Sequence, residues 1–105
     1  QARFNDYPRI SSVMGYSTVK SIAEGLRKAG PGDQEKLVDA FRGLRVVTPF
    51  GPIVYRPEDN QSTIGAFIGK TRLVDGKGMM VENRYFDGLH YQPSNEEVRK
   101  LRPQQ

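Results

Sequence analysis

The 105-residue sequence has no cysteine, no tryptophan and one histidine, His90. Without cysteine there are no disulfides and no thiolate-bound metal. One histidine leaves a transition-metal site without its usual donors. No Gly-x-Ser-x-Gly elbow is present, and nothing in "DGLHYQP" gives His90 the nucleophile and orienting carboxylate of a triad. His90 therefore reads as a surface residue. No apolar run is long enough to span a membrane. The opening Gln1–Tyr7 has neither an initiating Met nor a signal-peptide pattern, so the sequence predicts a processed or cut chain. Apolar residues make up only 36%. A chain of this size buries a modest core, so some apolar surface is expected to meet a partner or further chain.

Lys and Arg number 16 against 12 Asp and Glu, for a net charge of +4. The basic residues are scattered, apart from Arg99, Lys100 and Arg102 near the end. A nucleic-acid face needs clustered basic residues with aromatics or a reading helix, so these three read as a solvated basic tail and no nucleic-acid partner is expected.

Helical periodicity begins after Pro8. Val13, Tyr16, Val19, Ile22, Ala23 and Leu26 recur at helix spacing and predict one buried stripe on a helix over about 11–29. "KAGPGD" ends it, with Gly30 able to take a left-handed cap and Pro31 unable to continue. Asp33 caps a second helix over about 33–43, striped by Leu37, Val38, Phe41 and Leu44. Strands are expected over about 45–56, 64–74 and 79–86, the last two joined at Asp75-Gly76 or Gly76-Lys77. A tail over 87–105 follows, with a short helix "SNEEVRKL" started by Ser94 and Glu97. In "TPFGPIVYRPEDNQ", Pro49 and Pro52 cannot donate ladder hydrogen bonds. The stretch is read as one connecting strand followed by a polar turn.

Few residues suggest chemistry. "GAFIGKT" has three residues between its glycines where a phosphate-binding loop needs four, and a hairpin turn follows where a helix should. Glu58 and Asp59 are adjacent in an extended segment and point opposite ways. They read as loop carboxylates that satisfy local backbone donors. Tyr7, Ser11, Ser12 and Met14 precede or open the first helix. Its N-terminal N–H groups and hydroxyls could receive a ligand carboxylate; simple capping by Ser11 and Ser12 explains the same residues.

The ordered set Gly15-Tyr16, Lys28-Ala29-Gly30, Leu37 to Leu44, Thr48 to Gln61 and Ala66 to Lys70 resembles the C-terminal part of the type I periplasmic solute-binding proteins. More narrowly, it is similar to the leucine and branched-chain amino acid binding family of ABC importers, with its "GYDA", "KAGS" and "TPFGPVRFRPEDHQ" segments. The likeness runs from about Ile10 to Phe86. It implies an α/β fold that is a C-terminal fragment of a two-lobed type I periplasmic-binding-protein fold: a helix pair, then a crossing strand and a β-hairpin. It implies a periplasmic protein that is not an enzyme, has no cofactor, and captures a small organic ligand of amino acid, amide or aromatic acid type. The implied partners are the ABC transporter membrane subunits, and the missing N-terminal part of its own chain or a second copy. The family's cleft-lining aromatic falls at or near Ser11; together with the reading of the helix start above, the expected ligand-binding residues are Ser11, Ser12 and Met14. A small Ser11 leaves room for a bulkier or more polar ligand, and "GYST" replaces "GYDA" at Ser17. Two other readings fit the residues: a ligand-sensing regulator on the same fold, and a free-standing α+β interaction module with a basic tail.

Overall fold

The structure, a computed structural model, describes Arg3, Asn5 and residues 7–102. The first part of the N-terminal stretch and the end of the expected tail lie outside the described residues. Helix α1 spans Ile10–Ala29 and α2 spans Gln34–Phe41. Strands β1 (Arg45–Thr48) and β2 (Gly51–Val54) form one antiparallel pair; β3 (Ala66–Val74) and β4 (Lys77–Phe86) form another. A 3-10 turn, Gly88–Tyr91, and helix α3, Asn95–Leu101, complete the chain.

Helix α1 ends where Gly30 takes φ 78° and returns its N–H to the Leu26 carbonyl at 2.9 Å. Asp33 caps α2 by accepting from the Glu35 N–H at 3.0 Å. Lys28 ties the two helices together by donating to the Ala40 carbonyl at 2.9 Å, at the negative end of α2.

The face that α1 buries is not the expected one. Ser17, Ser21 and Gly25 are its buried residues, whereas Tyr16, Val19, Ile22 and Leu26 are 45–68% exposed. The small residues admit α2 closely: a Cβ on Gly25 would lie 2.6 Å from the Phe41 ring. The two serine hydroxyls are satisfied within the helix, Ser17 on the Val13 carbonyl and Ser21 on the Ser17 carbonyl, both at 2.8 Å. The apolar stripe lies on the opposite side of α1, and no described element covers it.

The segment expected as one crossing strand over 45–56 is folded back as a hairpin. Val46 pairs with Ile53, and Thr48 with Gly51. Thr48 Oγ1 closes the turn, accepting from the Phe50 N–H at 3.2 Å and donating to the Gly51 carbonyl at 2.9 Å. Gly51 supplies φ 103°, which a side chain would resist. Alternation along β1 buries Val46 and Thr48. Val46, Ile53 and Leu44 make the core, with Phe41, Tyr55 and Ile64 packed on it. Phe41 meets Tyr55 edge to face at 5.1 Å. The second hairpin turns at Asp75-Gly76, both at positive φ, as a two-residue turn of this kind requires. Most residues of β3 and β4 are exposed and none is fully buried.

The result is elongated. The radius of gyration is 17.4 Å, against about 13 Å for a compact chain of this length. The accessible surface is 8575 Å², roughly 2,700 Å² above that of a compact monomer of this mass.

Candidate functional site

The first turn of α1 has Arg9, in extended conformation, at its cap position, with no side-chain cap. The N–H groups of Ser12 and Val13 donate to the Arg9 carbonyl at 3.0 and 3.2 Å. Ser11 and Ser12 therefore sit inside the helix and are not its caps. Beside this turn lies a recess of about 330 Å³ walled by Pro8, Ser12, Val13, Tyr16 and Pro49. That volume is at the small end of ligand pockets. Its walls are almost wholly apolar. The recess exists because the turn between β1 and β2 brings Pro49 against the start of α1.

Of the three residues singled out by the sequence, the structure brings only Ser12 into this recess. Ser11 is exposed one helical step round from it, and Met14 is 41% exposed on another side of the helix. Tyr16 and Pro49 were missed. Tyr16 stands four residues after Ser12, on the same helix face, a signal that was read as core stripe. Pro49 is far from Ser12 in sequence, and only the fold brings them together.

"RPEDNQ" does structural work. Arg56 and Asp59 form a two-pronged ion pair, each side chain 11% exposed. Arg56 also donates to the Pro93 carbonyl at 2.7 Å, and Asp59 accepts the Gln61 N–H at 3.0 Å. From the tail, Arg102 donates to the Glu58 and Asp59 carbonyls at 2.8 and 3.2 Å, and Asn95 donates to Glu58 Oε1 at 2.7 Å. Of the basic residues expected as a solvated tail, Arg102 thus ties the end of α3 to this loop, while Arg99 and Lys100 are largely exposed and Lys100 pairs with Glu96 inside α3. The Arg56 hydrogen bond, chiefly, holds the Asp59 carboxyl below its ordinary pKa, helped by the Gln61 N–H and by the charges of Arg56 and Arg102; Asp59 in turn raises Arg56. In α3, Ser94 and Glu97 form a reciprocal capping box, and Ser94 lowers the Glu97 pKa. "GAFIGKT" lies in and just before β3, where Lys70 pairs with Glu82 across the hairpin. His90 is exposed in the 3-10 turn, and its backbone N–H reaches the Asp87 carbonyl at 3.2 Å.

No protein-family model matches the sequence. Two solved structures from Rhodopseudomonas palustris are similar to it. One is an ABC-type branched-chain amino acid transporter protein, 28% identical, with a TM-score of 0.69 over 81% of this chain. The other is a solute-binding protein of an ABC transporter in complex with 3,4-dihydroxybenzoic acid, 31% identical, with a TM-score of 0.71 over 83% of this chain. In both cases this chain spans 24% of the length of the protein it matches. It has the α/β architecture of the type I periplasmic-binding-protein fold, over a part of that fold. Among the described residues, no helix is long and apolar enough to cross a membrane.

Proposed function

We propose that this chain is the C-terminal part of a periplasmic solute-binding protein that captures a small organic ligand for import by an ABC transporter, and that it catalyses no reaction. The observation that carries this reading is the likeness to two ABC-transporter solute-binding structures, at 28 and 31% identity over more than four-fifths of the chain. The ligand is an amino acid, an amide or an aromatic acid, held at the start of α1. Of Ser11, Ser12 and Met14, Ser12 is the contributing residue, and Tyr16 and Pro49 add apolar walls to its recess. Such walls suit a flat or branched apolar body.

Binding draws its energy from those contacts and is completed as two lobes close around the ligand. The exposed stripe Tyr16, Val19, Ile22 and Leu26 is the surface against which further chain of the same protein, or a second copy, packs. The partners are the ligand and the membrane subunits of the transporter.

A thermal-shift screen of the complete product of the gene that encodes this chain tests the reading. The panel holds leucine, isoleucine, valine, their amides, benzoate and 3,4-dihydroxybenzoate. A ligand at a hundred times its Kd stabilises by about 2.7 kcal/mol, a readily measured rise in Tm. No stabilisation by any member of the panel would count against solute capture.

A further inference from the structure

The long β3–β4 hairpin leaves the rest of the fold through a narrow neck. Two strands of chain form it, Ile64-Gly65 on the way out and Phe86 to Gly88 on the way back. Glycine is required on both. A Cβ on Gly65 would stand 1.9 Å from the Phe86 carbonyl oxygen, and one on Gly88 would stand 2.5 Å from that of Ile64. These glycines let the backbones touch, but they offer no side chain to brace the hairpin against bending.

Bracing must come from the two faces of the hairpin, and these differ. Phe67 and Tyr85 are paired across the strands and share one face; Ala66 and Phe86 are paired on the other. On the first face three rings run in series. Phe50, at the tip of the β1–β2 turn, stacks on Phe67 with centroids 5.9 Å apart, and Phe67 meets Tyr85 at 5.0 Å. Tyr85 Oη then accepts the Gly65 N–H at 2.9 Å, which fixes the ladder to the neck itself. On the second face Phe86 meets only the largely exposed Tyr91 ring, at 6.0 Å, beside a recess of about 440 Å³ whose lining includes Ile64, Ala66 and Ile68.

We propose that Phe50 sets the direction in which the β3–β4 hairpin leaves the fold, acting as a positioning residue through the ladder Phe50–Phe67–Tyr85. The first hairpin thereby controls the second, although no strand of one pairs with a strand of the other. Phe50 also follows Pro49, which walls the recess at α1. The turn that shapes that recess is the turn that aims the hairpin.

The absence of cysteine makes the test direct. Spin labels on Lys36→Cys in α2 and Lys77→Cys at the hairpin tip, with labelled chain diluted into an excess of unlabelled chain so that only distances within one copy are read, report the angle as a distance distribution. The parent gives one narrow distribution. Phe50→Ala and Phe67→Ala broaden or shift it, Phe50→Leu does so with side-chain bulk largely kept, and Phe50→Tyr restores the parent distribution. Amide protection in α1 and β1 stays at the parent level throughout. A Phe50→Ala distribution that superimposes on the parent overturns the proposal. So does broadening that comes only with loss of protection in α1 and β1, since the fold and not the joint has then failed.

Discussion

Replacing Gly25 by alanine sets two effects against each other, and the structure says which wins. Glycine inside a helix costs about 1 kcal/mol relative to alanine, so propensity alone predicts stabilisation. The new Cβ, however, would sit 2.6 Å from Cε2 and 3.1 Å from Cζ of Phe41. That ring cannot swing freely, because it is packed edge to face on Tyr55 at 5.1 Å. Overpacking of this kind costs about 1–3 kcal/mol, so the net change is a loss of about 1 kcal/mol. Gly15 lies in the same helix with nothing within 4 Å of the corresponding Cβ. Gly15→Ala keeps the whole propensity gain, about 1 kcal/mol in the opposite direction. In a domain of this size each kcal/mol moves Tm by roughly 4–8 °C. Thermal unfolding followed by circular dichroism therefore separates the variants by sign. Combining Gly25→Ala with Phe41→Leu relieves the contact, and the coupling should exceed about 0.5 kcal/mol. A Gly25→Ala protein that melts higher than the parent, as Gly15→Ala should, would refute the close packing of α1 on α2.

Three further outcomes are expected. Asp59 has a lowered folded pKa, so its contribution to stability is complete above its unfolded value of about 3.9 and is lost as pH falls through the folded value. Denaturation of Asp59→Asn between pH 2 and 6 should show a smaller loss of stability on acidification than the parent; an unchanged slope would remove Asp59 from the account. Gly65→Ala meets the Phe86 backbone oxygen at 1.9 Å as well as Cζ of Tyr85 at 2.9 Å, and a backbone atom cannot move aside as a side chain can, so it should be more damaging than Gly25→Ala, with amide exchange in β3 and β4 accelerated first; parent-like exchange there would contradict the neck. The 105-residue chain by itself should form dimers or larger species in size-exclusion chromatography with light scattering, given its surplus accessible surface; a compact monomer would argue against a covered α1 face.

The sequence carries its local signals openly. The α1 period, the Asp33 cap, the Asp75-Gly76 turn and the Ser94–Glu97 box each depend on residues a few positions apart, and the structure builds its elements on them. What required the fold was long-range. The stripe on α1 is apolar, but the choice of packing face went to Ser17, Ser21 and Gly25, because small residues and a neighbouring Phe41 decide how closely two helices approach. The prolines of "TPFGP" were read as keeping one strand from pairing. Pro49 lies in a turn instead and Pro52 in β2 just after it, because Thr48 and Gly51 can close the turn. The recess joins Ser12 to Pro49, and the tail latch joins Arg56 to Pro93 and Arg102 to Glu58. Neither has a period or a motif to announce it.

The proposed role of this chain is to help a binding protein hold a small organic solute beside the first turn of α1. Isothermal titration of the complete gene product with the amino acids and aromatic acids named above tests it most directly, with Ser12→Trp as the matched variant. Saturable binding at one site per chain is expected for at least one of these ligands, abolished when the indole fills the Ser12 recess. Binding that Ser12→Trp leaves unchanged, or no heat from any of the ligands, would contradict it.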